Sequence, residues 1–76
     1  MAAAYLKIWV GVGLERQVCD ALRKLEGIIR ADITTGEQDV MAVLEARDYP
    51  GLLESILSEV RVIDGVERTV TNLVLD

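Results

Sequence analysis

The sequence predicts an α+β sandwich in the order βαββαβ, a four-stranded antiparallel sheet with two helices on one face. Three observations predict it. Segments with apolar residues at every second position alternate with segments whose apolar residues recur every three to four. Each helical segment lies between two strand segments, and the two halves of the chain match one another at a constant offset.

The elements follow in order. Residues 4–12 alternate, with Leu6, Ile8, Val10 and Val12 on one side and Tyr5, Lys7, Trp9 and Gly11 on the other, which is the period of a strand. Gly11 and Gly13 loosen the backbone before a helix over 14–26, in which Val18, Ala21, Leu22 and Leu25 form one stripe. Gly27 stands where a helix commonly ends in a left-handed residue. Residues 28–35 read as a second strand that closes on the β-branched Thr34 and Thr35. Gly36-Glu37-Gln38-Asp39 supplies turn chemistry, and a third strand over 40–46 completes a hairpin with the second. Asp48-Tyr49-Pro50-Gly51 opens the second helix with proline in its first turn. Its stripe is Leu52, Leu53, Ile56, Leu57 and Val60; Gly65 ends the turn beyond it, and residues 66–75 form the last strand.

Superposing the halves sets Leu14 with Leu52, Val18 with Ile56, Leu22 with Val60, Leu25 with Ile63, Gly27 with Gly65, Ile28 with Val66 and Arg30 with Arg68. One βαβ unit used twice about a pseudo-twofold axis is the ferredoxin-like arrangement. Two copies are too few for a solenoid.

The 76 residues allow one domain, 1–76. A chain this short buries only about 60% of the surface its unfolded form exposes, so its own core is marginal. It holds one cysteine and no histidine, hence no disulfide or metal framework, yet it is 51% hydrophobic. Both alternation sets of the sheet carry apolar residues: Val40, Ala42 and Leu44 on one face, Met41, Val43, Tyr5 and Trp9 on the other. A sheet apolar on both faces is covered on both, and a second copy of the chain is the simplest cover. The net charge of −5, with the basic residues scattered, argues against nucleic acid and anionic membrane as direct partners. No apolar run reaches the length of a membrane span, and no targeting segment is visible. The lone Cys19 suits a reducing cytoplasm, where the chain is expected.

Catalytic machinery is nearly absent. Without histidine there is no imidazole base, and Cys19 beside the first helical stripe reads as a small packing residue. The acids lack metal-ligand spacing, and neither a metal nor an organic cofactor is expected. Gly11-Val12-Gly13 after a strand lacks the further glycine and lysine of a phosphate loop, leaving a hinge as its role. Trp9 reads as packing near a subunit interface. In Thr34-Thr35-Gly36-Glu37-Gln38-Asp39, backbone amides around Gly36 could receive a carboxylate and Asp39 an ammonium, but spacing alone favours a plain hairpin turn in which Asp39 bonds its own backbone.

Leu25-Glu26-Gly27-Ile28, Thr35-Gly36-x-x-Asp39 and Ile63-Asp64-Gly65-Val66-x-x-Thr69-x-Thr71 together resemble the effector-binding (RAM) domain of the Lrp/AsnC feast-or-famine regulators, over about residues 5–75. The resemblance implies pairing through the sheets and further assembly into octamers or similar rings. It implies an amino-acid effector bound in a cleft between dimers. The family's ligand-loop glycine falls on Gly36 and its acidic residue on Asp39, with neighbouring pocket positions on Ile33, Tyr49, Thr71 and Leu73. The family's regulators carry an N-terminal helix-turn-helix, whereas this sequence opens on the first strand, so a stand-alone form is expected, with two roles open to it: mixing with full-length Lrp/AsnC relatives to modulate them, or sensing a small molecule for some other partner. Two other classes share the topology: a cofactorless dimeric α+β barrel enzyme, using Trp9, Tyr5 or Asn72 over the open sheet, and a purely structural assembly domain. The missing histidine and the short loops weigh against the enzyme.

Overall fold

The computed structural model describes residues 1–76. Its elements are β1 (Ala2–Val10), α1 (Glu15–Arg23), β2 (Ile28–Ile33), β3 (Val40–Ala46), α2 (Tyr49–Ser55, continued by a π-helical turn over Ile56–Val60) and β4 (Val66–Leu73). The sheet order is β2-β3-β1-β4 and every pairing is antiparallel, so the expected βαββαβ sandwich is what forms.

β1 is central because it carries the most regular alternation. Ala2, Ala4, Leu6, Ile8 and Val10 are buried, and they meet Val40, Ala42 and Leu44 of β3 across the sheet. α1 adds Val18, Cys19 and Leu22 to this layer, and α2 with its π turn adds Leu52, Ile56 and Val60. Asp48 caps α2, its Oδ1 accepting from the Gly51 N–H at 2.8 Å, and Pro50 sits in the first turn where no backbone donor is needed. Cys19 is buried, and its Sγ lies 3.4 Å from the Ala31 carbonyl, to which it donates.

Several details depart from the sequence reading. β2 and β4 each end two residues early, at Ile33 and Leu73. β1 runs two residues earlier than expected and stops at Val10, where a bulge between Trp9 and Val10 breaks the register and the Gly11 N–H turns to the Gly65 carbonyl. α1 is shorter than 14–26 at both ends. The α2 stripe narrows to every fourth residue: Leu52, Ile56 and Val60 are buried, whereas Leu53 and Leu57 are 47% and 59% exposed. Gly27 does not take the left-handed conformation expected of it; positive φ is confined to Gly13, Gly36 and Gly65. Gly27 is needed for space instead. A Cβ there would lie 2.8 Å from Leu44 Cδ1 and 2.9 Å from the Glu45 carbonyl oxygen, while the Gly27 carbonyl accepts from the Glu45 N–H.

The second face of the sheet has no cover within the chain. Register places Tyr5, Lys7 and Trp9 on it beside Met41 and Val43 of β3 and Arg68, Val70 and Asn72 of β4. The Arg68 guanidinium stacks over the Trp9 ring at 4.6 Å. At the β2 edge Arg30 is hydrogen-bonded to Asp32, which raises the pKa of its guanidinium above the usual arginine value.

Candidate functional site

The hairpin loop between β2 and β3 folds onto the end of β1. The Thr34 N–H donates to the Asp39 carbonyl at 3.1 Å and closes the loop. The Asp39 N–H then reaches the Ile8 carbonyl at 3.0 Å, and its Oδ2 accepts from the Val10 N–H at 2.9 Å. The Asp39 backbone carbonyl thus closes the loop, while its side chain bonds the central strand and not the loop. Asp39 fastens the loop to the central strand and satisfies a donor that the bulge at Trp9/Val10 has freed from the ladder. Its second oxygen, Oδ1, accepts from no group of the chain.

Gly36 has φ +113°, a conformation that a side chain would strain. None of the N–H groups of Thr35, Gly36, Glu37 and Gln38 has an acceptor within the chain. Successive free amides beside a residue of positive φ are the makings of an anion-binding backbone nest. Gln38, which the motif leaves as an unspecified position, is buried, and its Nε2 donates to Thr34 Oγ1 at 3.0 Å and to the Thr35 carbonyl at 2.9 Å. Across the loop rim, Lys7 Nζ lies 3.4 Å from Glu37 Oε1.

The six positions singled out in the sequence fall into two groups. Ile33, Gly36 and Asp39 lie together at the β2–β3 end. Thr71 and Leu73 lie on β4 opposite Leu6 and Ala4, and the Tyr49 hydroxyl donates to the Val74 carbonyl at 2.8 Å, joining the start of α2 to the chain just past β4. β2 and β4 are opposite edges of the sheet, separated by three inter-strand spacings, or about 14 Å. One subunit does not bring the two groups into one cavity. The β4 group instead adjoins a cleft of about 530 Å³ lined by apolar Leu53, Ile56, Leu57 and Val66, by Thr69 and Thr71, and by the charged Arg61, Glu67 and Arg68. Gln38 and this cleft are the features the sequence reading missed. Neither has a local signal: the work of Gln38 depends on its burial against the loop backbone, and the cleft on how α2 seats.

The sequence profile of the Lrp/AsnC ligand binding domain matches residues 7–76. No curated protein matches the chain. Among solved structures, TTHA0845 from Thermus thermophilus is 24% identical with a TM-score of 0.94, covering 100% of this chain and 95% of that one. AsnC of E. coli is 20% identical with a TM-score of 0.92, covering 99% of this chain and 51% of its own. The transcriptional regulator NMB0573 from Neisseria meningitidis, solved as a complex with L-Met, is 18% identical with a TM-score of 0.87, covering 99% of this chain and 50% of its own. This chain thus spans about half the length of those two proteins, and likeness at such identities speaks to the fold. The profile match over nearly the whole sequence, the βαββαβ sheet and the Thr-Gly-x-x-Asp loop on the end of β1 together place the chain in the Lrp/AsnC ligand-binding-domain family.

Proposed function

We propose that the chain is an amino-acid-binding regulatory module that works as a homo-oligomer and performs no chemistry of its own. The observation that carries this reading is the β2–β3 loop. Four free backbone amides around Gly36 suit an α-carboxylate, and the unoccupied oxygen of Asp39 suits an α-ammonium beside it. An amino-acid zwitterion carries both groups on one carbon whatever its side chain.

The side chain of such a ligand needs an apolar wall, and the second group of site residues supplies one only from another subunit. A partner that sets its Tyr49–Thr71–Leu73 edge against the loop completes the pocket, which makes effector binding and assembly interdependent. The open sheet face, with Tyr5, Trp9, Met41, Val43 and Val70 among charged residues, is the natural seat of the pairing contact. The complex of NMB0573 with L-Met supports an amino acid as the ligand class. Regulation of full-length Lrp/AsnC relatives in the cytoplasm, through mixed assembly, is the role this suggests.

A thermal-shift screen against the twenty amino acids, with light scattering alongside, tests the reading. A ligand at a hundred times its dissociation constant stabilises by about 2.7 kcal/mol, which raises the midpoint of a domain this size by several degrees. Asp39→Asn is the informative variant, because it removes the charge while keeping an acceptor for the Val10 N–H. Loss of the shift in Asp39→Asn with the oligomer intact supports the proposal. A flat panel from a stable oligomer sinks the amino-acid claim and leaves a structural assembly role.

A further inference from the structure

Gln38 is the only polar residue in the buried set, at 8% exposure. Both hydrogens of its Nε2 are committed, one to Thr34 Oγ1 and one to the Thr35 carbonyl. The same nitrogen stands 2.9 Å from where a Cβ on residue 36 would be, so the carboxamide packs directly over the Gly36 α-carbon. Glycine and glutamine interlock: the missing side chain leaves the room that the amide fills.

This grip has a consequence through the geometry of a trans peptide, in which C=O and N–H point in opposite directions. The Thr35 carbonyl and the Gly36 N–H belong to one peptide plane. With the carbonyl held toward Gln38, the Gly36 N–H points to the other side. A plane next to glycine turns over at little steric cost, since glycine tolerates either sign of φ. Such a turn would exchange the Gly36 N–H for the Thr35 oxygen at the loop surface, and only the conformation seen here, with the N–H presented, would receive an anion.

We propose that Gln38 is the positioning residue of this site: by holding the Thr35 carbonyl it locks the Thr35–Gly36 peptide with its N–H turned toward the ligand's carboxylate. The nature of the ligand rests on the amino-acid reading above, whereas the lock is a property of the free protein. Two substitutions separate its parts. Gln38→Met keeps length and removes both donors. Gln38→Glu keeps shape and replaces the donors by acceptors, which repel the Thr35 carbonyl and attract the Gly36 N–H.

Amide NMR of the wild type and both variants reads the state of the peptide. The wild type is expected to give one sharp Gly36 resonance and slowly exchanging Gln38 side-chain protons. In Gln38→Met the Gly36 signal broadens or doubles while the helix and strand signals stay in place. In Gln38→Glu it moves downfield and gains protection from exchange. Affinity for the amino acid that gives the largest thermal shift falls at least about tenfold in both variants. Unchanged Gly36 signals in folded variants, or freely exchanging Gln38 protons in the wild type, overturn the lock; the second reading needs no variant to fold. Altered Gly36 signals with no amino acid bound by any form uphold the lock and refute the amino-acid reading instead.

Discussion

Asp39 shows why a residue's identity and its work have to be separated. Its motif position implies ligand contact, yet one carboxylate oxygen already holds the Val10 N–H. Asp39→Ala leaves that donor unpaired in a half-buried place and is expected to cost about 1–3 kcal/mol of stability by chemical denaturation. Asp39→Asn should cost well under half as much, and equal losses would remove Asp39 from this structural role. Gly36→Ala is expected to be worse than ordinary loop substitutions, by about 1–3 kcal/mol, because positive φ and contact with Gln38 act together. Pairing it with Gln38→Ala should recover the contact part only. The turn glycine was legible in the sequence because its chemistry is local; Asp39 was legible as a turn residue, but its bonds to Ile8 and Val10 of β1 were not. Gln38 was not, since glutamine has no turn preference and its value depends on a carbonyl three residues away.

At the scale of elements, the period of two located every strand, and β3 fell on residues 40–46 as read. Ends were less legible. Ala2, Ala3 and Ala4 carry almost no strand signal, and they join β1 because β3 is there to pair with. The paired glycines Gly27 and Gly65 occupy equivalent places in the repeat, and both are short of space, Gly27 against Leu44 and the Glu45 backbone and Gly65 against the side chains of Val18 and Leu14, but only Gly65, at φ +101°, also needs the positive φ. Sequence similarity could not tell crowding from chirality. Replacing Gly27 by alanine should therefore destabilise despite its ordinary φ, because a backbone oxygen cannot move aside as a side chain does; a melting midpoint equal to wild type would contradict this. Along α2, Leu52→Ala is expected to cost about 2–5 kcal/mol as a buried truncation. Leu53→Ala, one residue on but exposed, should leave the subunit's stability within about 0.5 kcal/mol.

For the whole molecule, the governing fact is a sheet with one face buried by helices and the other bare. Composition made the surplus of apolar residues visible, and register showed where it lies: Tyr5 beside Val43 and Asn72, Lys7 beside Met41 and Val70. If copies pair through this face, the melting midpoint must rise with protein concentration. Val43→Lys, at the centre of the face, should lower the mass measured by light scattering while circular dichroism retains helix and strand. Unaltered mass would move the pairing contact elsewhere. That Ile33, Gly36 and Asp39 lie at one end of the sheet and Tyr49, Thr71 and Leu73 by its opposite edge was beyond the sequence, because periodicity along a chain assigns faces and not strand order.

The only tryptophan stands between the two residues that hold the loop. The Ile8 carbonyl takes the Asp39 N–H, the Val10 N–H takes its carboxylate, and the ring of Trp9 emerges on the opposite side of the strand beneath Arg68. One peptide's width thus separates the loop's anchor from a fluorophore whose emission depends on the charge stacked above it. The protein carries its own optical probe: a displacement of Asp39 is expected to shift the Trp9 emission, and an emission spectrum unchanged in Asp39→Ala would show that the indole does not sense the loop.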